Sequence, residues 1–273
     1  MPSRSRKKKR HILLIIILIA LAVLFLYKEI GKESFRQNIR DIVGIEEEIK
    51  PEKLPEIAIV IDDLGYNKKV AGELFEMKMP LTLSIIPQRT YSKWIAEEGH
   101  KLGHDIIAHI PMEAKDPSQK LGSGGLYSWM TDREILDTLR EGLEGLPGIK
   151  GASNHMGSLL TEDERAMSLV MSAIKHRRLF FLDSLTTPKS IATKTAKAKG
   201  IKVLKRDVFL DGKDDSAYIE ERWQEAVEIA RKRGYAIVLA HPRENTINFL
   251  KKSLASKERV KLVKLSELSS PQK

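Results

Sequence analysis

The sequence predicts a single α/β domain wound as a (β/α) barrel of seven or eight units and preceded by an N-terminal transmembrane helix. Three observations carry that reading. Eight short apolar, β-branched runs recur after residue 57, and amphipathic segments long enough for crossover helices separate them. Ahead of them lies a basic cluster followed by an uncharged apolar run.

The chain opens with Arg4, Arg6, Lys7, Lys8, Lys9 and Arg10, which make residues 1–11 a basic tail expected to stay cytoplasmic. From Ile12 to Tyr27 (ILLIIILIALAVLFLY) no residue is charged. With His11 at one end and a snorkelling Lys28 at the other, this stretch approaches the roughly 20 apolar residues of a bilayer span. Residues 12–28 are therefore read as a signal anchor. A cleaved secretory signal shares the same pattern, but LFLYKEIG lacks the small-x-small site that cleavage needs. Either reading places the remainder outside the cytoplasm, periplasmic or extracellular, on a single-pass membrane protein. Residues 29–56, charged and containing Pro51 and Pro55, are expected to be a juxtamembrane linker, and residues 57–273 the barrel.

The expected strands are IAIVI (57–61), LTLSII (81–86), DIIAHI (105–110), IKGASN (149–154), LFFLD (179–183), KVLKRDV (202–208), YAIVLA (235–240) and VKLVKL (260–265). Several are apolar almost throughout, as parallel strands covered on both faces should be. Helices are expected at Asn67–Met77, ending before Pro80, at Asp132–Leu143, ending before Gly145, and at Ala217–Lys232, ending at Gly234.

Composition excludes several classes of function. There is no Cys among the 273 residues, so disulfide frameworks and thiolate metal sites are absent, and any metal must rest on His and carboxylates. Six of the basic residues sit in the tail, and removing them from the net charge of +10 leaves +4. That remainder lies in mixed-sign runs such as Glu220-Glu221-Arg222, not in a phosphate-tracking stripe, so nucleic acid is not an expected partner. Neither G-x-G-x-x-G nor a P-loop follows the first strand, which favours a barrel over a nucleotide-binding open sheet.

A barrel places its chemistry at the C-terminal ends of its strands. Those ends carry Asp62-Asp63, His109, Asn154-His155, Asp183, Arg206-Asp207 and His241. Three of the seven histidines fall there, whereas His11, His100, His104 and His176 do not. Adjacent carboxylates closing an apolar strand repel unless a cation or a shared proton relieves them. The alternative is that one of them caps the helix from Asn67. Neutral imidazoles with a carboxylate suit a catalytic Zn²⁺ or another divalent transition metal. The long loop Pro111–Met130, Gly-rich and carrying Tyr127 and Trp129, is the candidate substrate lid; Trp129 serving only to anchor the next helix is the competing reading.

The runs IAIVIDDLG, GHDIIAHIPME, SNHMGS, FLDSLTT and IVLAHP, taken in order, resemble the divergent polysaccharide deacetylases of the NodB-homology (carbohydrate esterase) superfamily. The resemblance spans about Ile57–Leu265 and implies a distorted (β/α) barrel and metal-dependent deacetylation of a glycan. It makes Asp62 the general base and Asp63 a metal ligand, with His109 matching the first metal histidine and His241 the proton donor to the leaving group. The second metal histidine of the motif is replaced by Glu113, so the third ligand is Glu113 or His155, with His155 preferred. The arginine that usually orients the base has no counterpart, and Asp183 is a catalytic candidate near that position. Tyr127, Trp129, Asn154, Arg206 and Asp207 are candidate substrate-binding residues. The expected function is deacetylation of an acetylated envelope glycan such as peptidoglycan. A catalytically silent envelope protein that binds glycan or a protein partner is the alternative.

Overall fold

The computed structural model describes residues 4–30, 34, 54–253 and 259–268. The chain divides into two units, Met1–Lys53 and Leu54–Lys273. In the first, helix α1 spans Arg4–Ile30 and leaves the side chains of Leu13 to Ile19, Leu21 and Val23 to Phe25 exposed. Among the described residues, no helix is long and apolar enough to cross a membrane. Most of the expected linker lies outside the described residues.

The second unit is one parallel sheet of nine strands: β1 (Glu56–Leu64), β2 (Thr82–Ile85), β3 (Asp105–Met112), β4 (Ile149–Met156), β5 (Phe180–Asp183), β6 (Val203–Lys205), β7 (Val208–Phe209), β8 (Tyr235–Ala240) and β9 (Lys261–Val263). Their order is β6-β5-β4-β3-β2-β1-β8-β7, with β9 also paired to β1. The helices are α2 (Lys68–Glu76), α3 (Ser92–Lys101), α4 (Asp132–Glu144), α5 (Glu164–His176), α6 (Ala192–Ala198), α7 (Ser216–Arg233) and α8 (Glu244–Ser253). The three helices expected from sequence agree with α2, α4 and α7 to within a residue or two, and Gly234 ends α7 in the left-handed conformation that glycine tolerates.

The barrel is curled but open, and two expectations change. The run at 202–208 is two strands, because Val203–Lys205 pairs with β5 while the chain from Asp207 onward pairs with β8. These strands form opposite edges of the sheet, yet only Arg206 and Asp207 separate them. The chain itself therefore bridges a seam no wider than about 11 Å. The last run does not close that seam either. β9 lies beside the start of β1, and Leu265 and Leu268 then bury themselves under the sheet, where Leu265 N–H donates to Thr82 Oγ1 at 3.0 Å and Ser266 N–H to Asp105 Oδ2 at 2.7 Å.

Apart from the break after Asp62 on β1, side chains alternate across this sheet. Ile57, Ile59 and Ile61 of β1 pack with helix residues, as do Ile106, Ala108 and Ile110 of β3 and Ala236, Val238 and Ala240 of β8. Ala58 and Val60, Ile107, and Ile237 and Leu239 form the opposite layer with Phe180, Leu182, Leu204 and the C-terminal Leu265 and Leu268, without any α-helical residue. That layer is the barrel interior. At Gly151 on β4, an added Cβ would collide with the Phe180 ring, so only glycine allows that ring to fill the interior.

Candidate metal centre and its acid–base groups

The interior alternation, continued to the strand ends, selects the site. Asp62 follows Val60, His109 follows Ile107, and His241 follows Leu239, each in the inward-facing position. Ser84 on β2, with Ser153 and His155 on β4, complete the inner lining. Asp63 has the wrong parity for a regular strand. It joins the site because its backbone takes φ 59°, within a break in register between Ile61 and Leu64. A non-glycine residue in that region costs on the order of 1–3 kcal/mol, and such strain persists where the surroundings hold it. Gly65 behind it makes the turn possible: φ is 133°, and a Cβ would lie 2.9 Å from Ser92 Oγ and 3.1 Å from the Ile86 carbonyl. Neither aspartate caps the following helix, since Asn67 Oδ1 accepts from Lys69 and Val70 N–H at 3.0 and 3.2 Å.

Asp63 is the centre of the cluster. Its Oδ1 lies 2.7 Å from His155 Nδ1 and 3.2 Å from His109 Nε2, and its Oδ2 lies 3.6 Å from His241 Nε2. The two rings beside Oδ1 meet edge to face at 5.1 Å. Despite these approaches, Asp63 Oδ1 is buried without an aligned hydrogen bond. Two imidazole nitrogens and a carboxylate oxygen that lie within 4.8 Å of one another fit a shared divalent cation. Burial opposes the charge of Asp63, but His109 and His155 outweigh it and hold the carboxyl well below the usual carboxylate range.

Asp62 differs from its neighbour in environment. It is almost completely buried, its Oδ1 has no hydrogen-bond partner, and His109 Nδ1 stands 3.6 Å away. Burial raises its pKa, with the Asp63 charge adding to the effect, and His109, Ser84 and His241 offset only part of this. Two adjacent carboxyls whose affinities for protons are driven apart are suited to different tasks.

His241 is held from behind by Asp211, a residue that sequence reasoning did not single out. Asp211 Oδ1 accepts from His241 Nδ1 at 2.9 Å, and its Oδ2 accepts from the His241 N–H at 2.7 Å and from Thr246 Oγ1 at 2.9 Å. Burial lowers the pKa of His241, but the hydrogen bond and charge of Asp211 reverse this and raise it, with Asp63 and Asp62 contributing. Asp211 itself is held below its ordinary value, burial being outweighed by His241. The Phe209 ring meets the His241 imidazole edge-on at 5.2 Å.

The remaining candidates are not in this cluster. Glu113 Oε2 accepts from the Ser128 N–H at 2.7 Å and from Ser128 Oγ at 2.6 Å, fastening the long loop. Asp183 shares the outward parity of Phe181 and accepts from Leu185 N–H and Ser190 Oγ at 3.0 and 2.9 Å. Asn154 is likewise outward and joins Met156 O to Ser184 N–H. Arg206 spans the seam, donating to Ser184 O and Leu185 O at 2.8 and 3.1 Å while lying over the Phe209 ring. Burial lowers its pKa, opposed by the charges of Asp183 and Asp62. Asp207 is bonded to Arg233 and to Ile237 N–H.

The loop from 113 to 130 is fixed at several points. Leu126 bridges to Met112, Arg89 donates to Leu121 O, Ser123 O and Ser123 Oγ, and Arg165 donates to Ser128 O and Met130 O. On it, Tyr127 and Trp129 stack at 5.3 Å, with Trp129 71% exposed.

The family model for divergent polysaccharide deacetylases matches residues 59–269. An uncharacterized protein of Haemophilus influenzae is 37% identical over 213 residues, covering 78% of this chain and 76% of its own length. The uncharacterized protein YibQ of Escherichia coli K12 is 32% identical over 235 residues, covering 86% and 73%. Among solved structures, an uncharacterized protein of Agrobacterium tumefaciens C58 superposes with a TM-score of 0.75 at 24% identity, covering 81% of this chain and 91% of the other, a likeness of fold. The chain belongs to the divergent polysaccharide deacetylase family.

Proposed function

We propose that this protein is a metal-dependent carbohydrate deacetylase acting outside the cytoplasm on an acetylated envelope glycan. The observation that supports it is the flanking of Asp63, His109 and His155 by two groups of opposite acid–base character, buried Asp62 and Asp211-backed His241. A divalent cation bound by those three side chains would supply Lewis-acid polarisation of an acetyl carbonyl. Asp62 Oδ1, buried and without a partner, would take the proton of the attacking water. His241 Nε2, with Nδ1 held by Asp211, would give a proton to the departing amine or alcohol. Tyr127 and Trp129 would stack on a sugar ring beyond the reacting one.

Helix α1 would hold the domain at a membrane, the exposed Leu and Ile side chains entering the lipid and Lys28 reaching its surface. The basic residues before it would keep the N-terminus cytoplasmic. His155 beside Asp63 supports the enzyme over the silent glycan-binding reading, because it supplies the nitrogen that Glu113 does not.

The test is acetate release from acetylated chito-oligosaccharides and peptidoglycan fragments by full-length protein, with and without added Zn²⁺ or Co²⁺. Metal-stimulated release is the expected result. No release from any acetylated glycan by protein with metal bound would leave the silent binder in its place.

A further inference from the structure

The two ends of the barrel differ in charge. Because consecutive strands are parallel, each intervening helix returns the chain to the N-terminal ends of the strands, opposite the candidate metal centre. The last turns that gather there carry Lys101 on α3, Lys175 on α5, Lys197 on α6, Arg231, Lys232 and Arg233 on α7, and Lys251 and Lys252 on α8. At the other end, the first turns of α4, α5 and α8 carry Asp132, Glu134, Glu164 and Glu244.

A cation in a last turn complements the helix dipole, and one per helix needs no further reason. That account does not reach Lys78 and Arg178, which stand in the connections beyond the helices, nor the run of three on α7. Some of the basic groups are paired, as Lys101 is with Glu98, Arg177 with Glu144 and Lys251 with Glu73, each at 2.8 Å. Lys78, Lys175, Arg178, Lys197, Arg231 and Lys252 are exposed and have no carboxylate partner among the described residues. They are distributed around the whole end of the barrel and do not follow a groove, so they suit a flat anionic surface better than a nucleic-acid strand.

An aliphatic side chain stands exposed among these cations. Leu102, in the turn between α3 and β3, is 57% exposed and lines one hollow with Lys78 and Lys264. The chain also enters the domain here: Glu56 opens β1, and the Pro55 carbonyl accepts from Lys261 N–H at 2.9 Å. Any attachment made through the preceding residues therefore reaches the domain on this face.

We propose that the basic end of the barrel is a lipid-contact surface, on which the unpaired Lys and Arg side chains meet an anionic phospholipid surface and Leu102 enters its interface. Charge attraction and burial of an apolar side chain act together in such contacts, and the charge part decays within a Debye length and weakens with salt. The proposal rests on the membrane placement above and gives it an orientation, with the candidate metal centre facing away from the bilayer.

The chain has no cysteine, so a nitroxide can be attached at one position alone: Leu102→Cys at the basic end, or Lys120→Cys on the exposed loop after β3. The full chain is bound to vesicles of phosphatidylcholine with or without phosphatidylglycerol. On the anionic vesicles the label at 102 should become several-fold more accessible to oxygen relative to a water-soluble nickel complex, while the label at 120 stays aqueous. High salt should abolish the change. Joint replacement Lys78→Gln, Arg178→Gln, Arg231→Gln and Lys252→Gln should abolish it too, whereas Lys78→Arg, Arg178→Lys, Arg231→Lys and Lys252→Arg together should keep it. A label at 102 that stays aqueous on anionic vesicles, responds equally on phosphatidylcholine alone, or is immobilised without lipid as by a second copy of the chain, would overturn the proposal. Failure of the chain to float with phosphatidylcholine vesicles, with the label at 102 still entering anionic ones, would overturn the α1 anchor alone.

Discussion

Asp211 takes both the backbone N–H and the ring Nδ1–H of His241, at 2.7 and 2.9 Å, and so fixes the imidazole in position and tautomer with Nε2 directed to the site. The same carboxylate raises the pKa of His241 against the effect of burial. A proton donor works only while protonated, so the alkaline limb of the rate profile falls as pH rises through this raised value. In Asp211→Asn the raising charge is gone, and the alkaline limb of kcat/KM is expected to move to lower pH. A pH–rate series on an acetylated oligosaccharide checks this; an unmoved limb assigns the donor elsewhere.

The two candidates for a third ligand separate by metal content. His155 approaches the same oxygen of Asp63 as His109 does, whereas Glu113 is occupied by Ser128. His155→Ala is expected to lose its divalent ion on dialysis, and Glu113→Ala to retain it, as measured by elemental analysis. Glu113→Ala should instead cost about 1–3 kcal/mol of stability, because the Ser128 N–H and O–H lose their acceptor. The reverse pattern of metal loss would make Glu113 the ligand.

How much of this was legible in the sequence depends on which contacts a strand end controls. The strand runs and rim positions of Asp62, His109, His155 and His241 follow from apolar patterning and from the barrel rule. Parity was not legible, because β1, β3 and β8 are apolar on both faces and nothing in IAIVI marks which residues face inward. That is why Asp183 and Asn154 look like site residues in sequence and yet point outward, and why Asp63 needed a left-handed backbone to join. Asp211 was hidden because KVLKRDV reads as one strand, when the chain crosses the seam at Arg206-Asp207 and the true strand end is two residues before Asp211. Ser84 and Ser153 sit inside apolar runs, where a hydroxyl gives no sign of its partner.

The buried Asp62 should make the metal-free protein less stable as pH rises. Its folded pKa is raised above the unfolded value, so its contribution is most favourable below the unfolded pKa and is lost as pH increases through the folded one. Asp62→Asn has no charge to bury. In the presence of a chelator its Tm is expected to exceed the wild-type value at pH 8 by a few degrees, about 2–4 °C for each kcal/mol gained. The difference should close near pH 4, where the wild-type carboxyl is protonated. Scanning calorimetry at the two pH values checks the sign, and equal stabilities at pH 8 would mean that Asp62 is not penalised there.

Trp129 is an exposed aromatic ring stacked on Tyr127 in the loop that follows β3. Its loop leaves β3 three residues after His109, and Leu126, one residue before Tyr127, bridges back to Met112, which pairs with Met156 next to His155. With Glu113, Arg89 and Arg165 all fastening that loop, the stacked Tyr127–Trp129 pair would offer a sugar ring a fixed platform. A sugar stacked there binds equally in ground and transition states, so its loss should raise KM and leave kcat alone. Trp129→Ala is expected to raise KM for a tetrasaccharide by about tenfold, corresponding to roughly 1.4 kcal/mol of stacking. For a monosaccharide too short to reach the platform, KM should not change. Steady-state kinetics on the two substrates measures the difference, and an equal effect on both would place Trp129 in the structure of the loop and not in contact with the glycan.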